Sequence, residues 1–384
     1  MLKNIITWQP VLTNHQAYTY EALELLSGSK LIAYVAETEN SIRKSQGWTE
    51  TTVSSVTRVL IPKRNFLSFC LNELLKYKND IHIFASPFQE PKLIACLFFA
   101  RILGLNFYLI SEPYSPIEEG YFGDGKGYIN RIKAHLRPCI YRIYSFFLRA
   151  RVGGIFTISK LAYDQYLGHG VPKEKLFPFA YFVPRITQFS LIDHSPVKRP
   201  PSLKVVYVGA LIRRKGLDVL QDAICTLREK GYQVSLDIYG AGDQGLVFSN
   251  FDFISYRGSI PFGDAQEVIA RYELLVLPSR YDGWGVVINE ALCANVPVAY
   301  ANTVGAGEVA KNFEAGLSFS SGDSKSLSTV LMALMDDPIL LNALRNQIGI
   351  AADSLQPKIG ARYMLDMMNF NGRTSEGIKP PWYF

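Results

Sequence analysis

The chain has 384 residues, of which 48% are hydrophobic and 19% charged, with a formal charge of +6. That length exceeds the size at which one core usually keeps growing, so two domains are expected, with apolar residues enough to fill both. No apolar run approaches the ~20 residues that a helix needs to cross a bilayer, the best, 93–100, being bounded by Lys92 and Arg101.

The opening residues, MLKNIITWQP, are too polar for a secretory signal and read as a first strand over 2–7. Further strands are predicted over 31–36, 81–85, 107–110 and 154–158, with helices over 16–26 and 91–103. This alternation implies a parallel sheet covered on both faces, whose ligands sit beyond the carboxyl ends of the strands. The segments 9–15, 86–89 and 111–115 are therefore the places to look. They offer His15, serving either a cleft or a helix cap, and Glu112 in SEPYSP, either bound to an acceptor hydroxyl or solvated. His82, between Ile81 and Ile83, reads as a core histidine.

Residues 128–151, YINRIKAHLRPCIYRIYSFFLRAR, hold six Arg and Lys, one His and no acid among Tyr, Phe, Ile and Leu. Such a stretch fits either an anionic membrane surface or a solvated helix face over a core, and Pro138 makes it two helices or one kinked helix. Up to residue 200 the chain carries 24 Lys and Arg against 15 Asp and Glu, and beyond it 16 against 19, so the basic excess is N-terminal. The five cysteines are scattered without a C-x-x-C. That pattern reads as free thiols in a reducing compartment, hence a cytoplasmic protein. GGIFTISK, 153–160, is expected to be the last buried strand of a first domain over 1–190, and the segment 183–202, with its prolines, the linker.

A second domain over 200–360 opens with LKVVYVG, a strand ending in Gly209. The basic turn Arg213, Arg214, Lys215 and Gly216 then runs into a helix, and three cations at the carboxyl edge of a strand make an anion site. QVSLDIYGAGD is a strand with a G-x-G but no third glycine entering a helix, which disfavours a Rossmann-type oxidoreductase. In LLVLPSRYDGWGVVINEALCAN, 274–295, a buried strand closed by Pro278 meets a loop with Gly283 and Gly285 and then a helix whose first N–H groups suit a phosphate. Asp282 and Glu290 lie eight positions apart, roughly 10 Å if the interval is helical. They either hold two parts of one elongated ligand or are ordinary surface acids. Two amphipathic helices are expected over 323–353 and a last one over 361–370.

The run Pro278, Ser279, Arg280, Tyr281, Asp282, Gly283, Trp284, Gly285, with Glu290 and Ala291, resembles the signature P-S-x-x-E-G-F-G-x-x-x-x-E-A of the family-4 retaining glycosyltransferases. Asp282 replaces the first Glu and Trp284 the Phe. Residues 209–216 resemble the family's G-R-L-x-x-x-K-G, with Ala210 in place of Arg, so that Arg213 or Arg214 supplies that charge. FISYRGSI resembles the strand that runs along the nucleotide base, around Gly258 and Ile260, and TVGAGEVA the second loop near the phosphates. The resemblance is close over 203–355 and covers only the general layout before that. The histidine that many relatives carry after the strand over 81–85 is replaced by Ala85 or Ser86.

The resemblance implies a GT-B fold: two Rossmann-like, doubly wound parallel-sheet domains facing across a cleft, with 361–384 crossing back to the first. It implies a nucleotide-diphosphate sugar as donor, with the diphosphate on Lys215 and Arg213 or Arg214, the ribose on Glu290 and the sugar on Asp282. Gly209, Gly258, Ile260, Ser279, Gly283, Trp284 and Gly285 would line its site; the resemblance carries over no catalytic residue of the first domain, where His15 and Glu112 stay candidates for the acceptor side by their place after the strands alone. No cofactor or metal is required, since fixed cations do that work. The acceptor is expected to be a glycan or lipid-linked sugar in surface polysaccharide synthesis, with an anionic membrane surface as a further partner and no nucleic acid. The alternative is a non-catalytic, nucleotide-sugar-binding scaffold on the same fold.

Overall fold

The computed structural model describes residues 3–38, 55–86, 90–116, 128–186, 202–247, 251–261, 263–369 and 379–382. Two parallel sheets organise them. The first comprises β1 (Ile5–Gln9), β2 (Leu31–Val35), β3 (Thr57–Leu60), β4 (Ile81–Ala85), β5 (Phe107–Ser111), β6 (Gly154–Ile158) and β7 (Leu176–Phe179), in the order β3-β2-β1-β4-β5-β6-β7. Helices α1 (Asn14–Ser27), α2 (Phe66–Lys76), α3 (Pro91–Ile102), α4 (Tyr128–Arg149) and α5 (Ser159–Gly168) connect them. Strands such as β1, β2, β5 and β6 are buried along their whole length, which is why they read as apolar runs and not as alternating ones. A capping box between Thr13 and Gln16 starts α1, and Gly28 in the left-handed region ends it.

The second sheet has the order β10-β9-β8-β11-β12-β13. Its strands are β8 (Ser202–Val208), β9 (Gln233–Tyr239), β10 (Ile254–Tyr256), β11 (Leu274–Leu277), β12 (Val298–Ala301) and β13 (Gly316–Phe319). Around it lie α6 (Leu217–Glu229), α7 (Ala265–Ile269), α8 (Val286–Cys293), α9 (Gly307–Asn312), α10 (Ser324–Asp336) and α11 (Pro338–Ser354). The last helix, α12 (Pro357–Asn369), packs on α1, and the Tyr108 hydroxyl donates to the Met368 carbonyl at 3.1 Å. Trp382 is buried against Phe179 of β7, Phe182 and Tyr363.

In each sheet the strand order reverses once, between β1 and β4 and between β8 and β11, and each reversal opens a crevice at the carboxyl ends. The doubly wound pair is the GT-B fold that the resemblance implies.

Several expectations are corrected. The first strand starts at Ile5, so Gln9 belongs to it and not to the loop beyond. The strand over 154–158 is not the last of its sheet, because β7 pairs outside it, with Pro178 tolerated at the edge. The short edge strand β3, the helix α2, and β12 and β13 were not anticipated. Of the two alternatives for 128–151 the single helix holds: α4 is one helix of 22 residues with Pro138 inside it. Cys70 and Cys96, expected as free thiols, are both fully buried where α2 packs on α3 and form a disulfide. Helix packing brings them together across 26 positions of sequence, a proximity that no local pattern encodes. Residues 87–89, 187–201 and 370, which belong to the expected ligand loop, linker and last helix, lie outside the described residues.

Candidate functional site

The crevice between β8 and β11 explains how two distant motifs become one site. Residues 209–216 leave the end of β8 and residues 278–285 leave the end of β11, and these strands are neighbours in register. Gly216 takes φ +69°, and a Cβ there would lie 2.0 Å from the Pro278 carbonyl oxygen, so only glycine lets the basic turn lie flat on the exit of β11. Lys215 Nζ then pairs with Asp282 Oδ2, and the two side chains are only 17% and 13% exposed. The loop carrying Asp282 is held by backbone bonds, Asp282 N–H to the Thr303 carbonyl at 3.2 Å and Gly305 N–H to the Asp282 carbonyl at 3.1 Å.

The other cations of the turn do different work. Arg214 donates to the Tyr281 carbonyl at 2.7 Å, tying the turn to the acidic loop. Arg213 is exposed, and its carbonyl accepts from Arg280 at 2.9 Å. Arg280 also grips Asp218 with both guanidinium nitrogens at 2.7 and 2.6 Å, so it braces the turn from outside. Of the three basic residues, Lys215 is the one whose charge lies in the crevice against a site carboxylate.

Gly285, at φ +91°, starts α8, and a Cβ there would meet Leu277 at 2.9 Å. One turn on, Glu290 is partly buried. It has no hydrogen-bond partner among the described residues, and burial pushes its carboxyl up to about 7. Its charge is felt by Tyr18 of α1, so it faces the first domain across the cleft. A partly buried carboxyl without a hydrogen-bond partner is suited to a ligand that brings hydroxyl donors.

Gly209 and Gly258 stand beyond β8 and β10, the two strands that flank β9, with Gly209 N–H bonded to the Tyr239 carbonyl at 3.0 Å and Gly240 N–H to the Gly258 carbonyl at 2.9 Å. With half-buried Ile260 they form the rim beyond β8, β9 and β10. Two expected contact residues turn inward. Ser279 is fully buried, its hydroxyl without a partner among the described residues, and Trp284 is buried with its indole N–H given to Asn289 at 2.9 Å. Asn289 in turn donates to the Tyr181 carbonyl at 2.7 Å. Both residues are part of the wall because the loop after β11 folds its larger side chains inward, under the two glycines.

The first domain closes the cleft from above. Glu112, at the end of β5, accepts from the Tyr181 hydroxyl at 2.5 Å, and its other oxygen lies 3.5 Å from where a side chain on Gly283 would begin. His15 stacks at a tilt on Tyr181, ring centroids 4.2 Å apart, and bonds Thr13 at 3.0 Å. The Tyr281 hydroxyl donates across the cleft to the Tyr114 carbonyl at 3.1 Å. His82 is the core histidine expected, accepting from Trp8 at 3.2 Å with its pKa lowered to about 4 by burial.

Residues 190–353 match the model of the family described as glycosyl transferases group 1. The second domain is similar to the group 1 glycosyl transferases. Curated relatives match over stretches of similar length. Glycogen synthase of Mycobacterium tuberculosis is 28% identical over 142 residues, 35% of this chain and 34% of that protein. The capsular polysaccharide biosynthesis glycosyltransferase CapM of Staphylococcus aureus is 27% identical over 149 residues, 37% of this chain and 38% of that one. The match thus spans little more than a third of the length of these relatives. Over nearly the whole chain the fold is similar to that of Anabaena HepE in complex with UDP, at a TM-score of 0.72 and 13% identity, covering 95% of this chain and 99% of that one. HepE is also known in complex with UDP-glucose.

At the candidate site, the residues that sequence reasoning missed are mostly tyrosines. Tyr281 sits inside the signature, between Arg280 and Asp282, where it was passed over as a variable position. Tyr18, Tyr114 and Tyr181 carry no local signal, since only the approach of the two domains gives them a role.

Proposed function

We propose that this chain is a retaining glycosyltransferase that moves a sugar from a nucleotide-diphosphate sugar to a glycan or lipid-linked acceptor during assembly of a surface polysaccharide. The Lys215–Asp282 pair at the mouth of the β8–β11 crevice carries the reading. A desolvated ammonium held by a single carboxylate exchanges that partner readily for a diphosphate, which offers more charge and more acceptor oxygens. As the bond between the anomeric carbon and the diphosphate breaks, negative charge grows on the leaving oxygen, and Lys215 and the first N–H groups of α8 stabilise it. Asp282, released from Lys215, accepts from hydroxyls of the transferred sugar, and Glu290 accepts from the ribose. The first domain, with Glu112 and His15, receives the acceptor. Retention of configuration follows from the family resemblance, and the capsular relative supports the pathway.

The test is a thermal-shift screen of nucleoside diphosphates and their sugars, followed by transfer assays with the best donor. A ligand at 100 times its Kd raises stability by about 2.7 kcal/mol, which a melt reads easily. At least one nucleotide sugar is expected to shift the melt and to be consumed with an acceptor. No shift with any of them overturns the reading, and a shift without turnover points to the non-catalytic scaffold.

A further inference from the structure

Helix α4 presents two apolar faces. Tyr141, Ser145 and Leu148 are buried against the first domain. Leu136, Ile140, Ile143 and Phe146 are exposed, Ile143 by 72% and Phe146 by 64%. At about 100° per residue these four fall on one stripe opposite the buried side. The stripe continues onto α3, where Phe98 and Ile102 are exposed one turn apart. Phe98 stacks on Phe147 with ring centroids 5.8 Å apart, and Arg101 donates to the Phe147 carbonyl at 2.6 Å, so the two helices share one outer surface.

An apolar face of this kind on a domain surface marks a docking site, and its charge decides the partner. Neither α3 nor α4 contains an acid, while together with Arg151 they contain eight Lys and Arg. Exposed Arg142 and Arg149 border the stripe, and Arg149 stacks over the Phe146 ring at 4.3 Å. Among the described residues no single helix is long and apolar enough to cross a membrane. Apolar side chains in the middle and cations along the edge match the interface of an anionic bilayer, with the helix lying in the surface plane.

We infer that the outer face of α3 and α4 docks the protein on anionic membrane. Arg137 of α4 bonds Ser115 in the same loop that holds Glu112, at 3.0 Å to its carbonyl and 3.2 Å to its hydroxyl, so the docking face adjoins the acceptor side of the cleft. The inference extends the lipid-linked acceptor proposed above, but flotation needs no donor and is judged independently of sugar transfer.

The full chain is floated with phosphatidylcholine vesicles, with and without phosphatidylglycerol, at low and high salt. Binding is expected only with phosphatidylglycerol and is expected to weaken with salt, since each basic side chain near an anionic surface strengthens partitioning roughly fivefold. Ile143→Asp/Phe146→Asp and Arg142→Glu/Arg149→Glu should each lower the floated fraction about tenfold or more, with an unchanged melt and an unchanged nucleotide shift. Two results overturn the inference: wild type that stays unbound at low salt, and variants that float like wild type. A third is a self-associated wild type that Ile143→Asp/Phe146→Asp makes monomeric without changing flotation, which assigns the face to a second copy.

Discussion

The Glu290 carboxyl gives the sharpest test of how the site holds its donor. Burial raises it from 4.5 to about 7, which corresponds to about 3 kcal/mol of preference for the protonated form in the folded protein. Because the folded pKa lies above the unfolded one, this contribution to stability is present below about 4.5 and is lost as pH rises through 7. Ribose hydroxyls reverse the preference, since a hydrogen bond to a charged group is worth about 1.5–3 kcal/mol against about 0.5–1.5 for a neutral pair. Donor binding should therefore pull the pKa down and release a proton near pH 7. Affinity for a nucleotide sugar, whose diphosphate has no proton to lose in this range, should rise about five- to tenfold between pH 6 and 8.5. Calorimetry in two buffers of different ionisation enthalpy measures both the affinity and the released proton. Glu290→Gln should bind more weakly, flatten the pH profile and abolish the release. The same slope in wild type and Glu290→Gln refutes the reasoning and shifts the titration to another group.

Three further outcomes follow from the crevice. Lys215→Ala should weaken the donor and the bare nucleoside diphosphate alike, by about 2–3 kcal/mol, and unchanged nucleotide affinity in calorimetry would exclude Lys215 as the diphosphate ligand. Asp282→Asn should bind bare nucleotide as well as wild type or several-fold better, because the carboxylate that competes for Lys215 is gone, yet transfer sugar more slowly; weaker nucleotide binding would show that the pair only supports the loop. Gly216→Ala places a Cβ 2.0 Å from the Pro278 oxygen at a left-handed φ. It should therefore cost about 2 kcal/mol or more in a denaturant melt, and a wild-type midpoint would mean that the turn relaxes freely.

The sequence by itself determined the fold class and placed the candidate residues on each side of the crevice. Strands buried on both faces declare themselves as apolar runs, and Gly209, Lys215, Asp282, Gly283, Gly285 and Glu290 sit at strand exits and a helix start, where short-range pattern is informative. Short edge strands left no such trace: β3 and β7 have four residues each, and neither has a regular alternation of buried and exposed positions. Tertiary structure alone decided which of three adjacent cations faces Asp282, because Arg213, Arg214 and Lys215 differ only by their rotation around a single turn. It also decided that Ser279 and Trp284 point inward, that Cys70 meets Cys96, and that Tyr114 and Tyr181 border the loop after β11. These contacts join residues tens to hundreds of positions apart, and such proximity is set by how sheets and helices pack, a property of the whole chain that no local window of sequence contains.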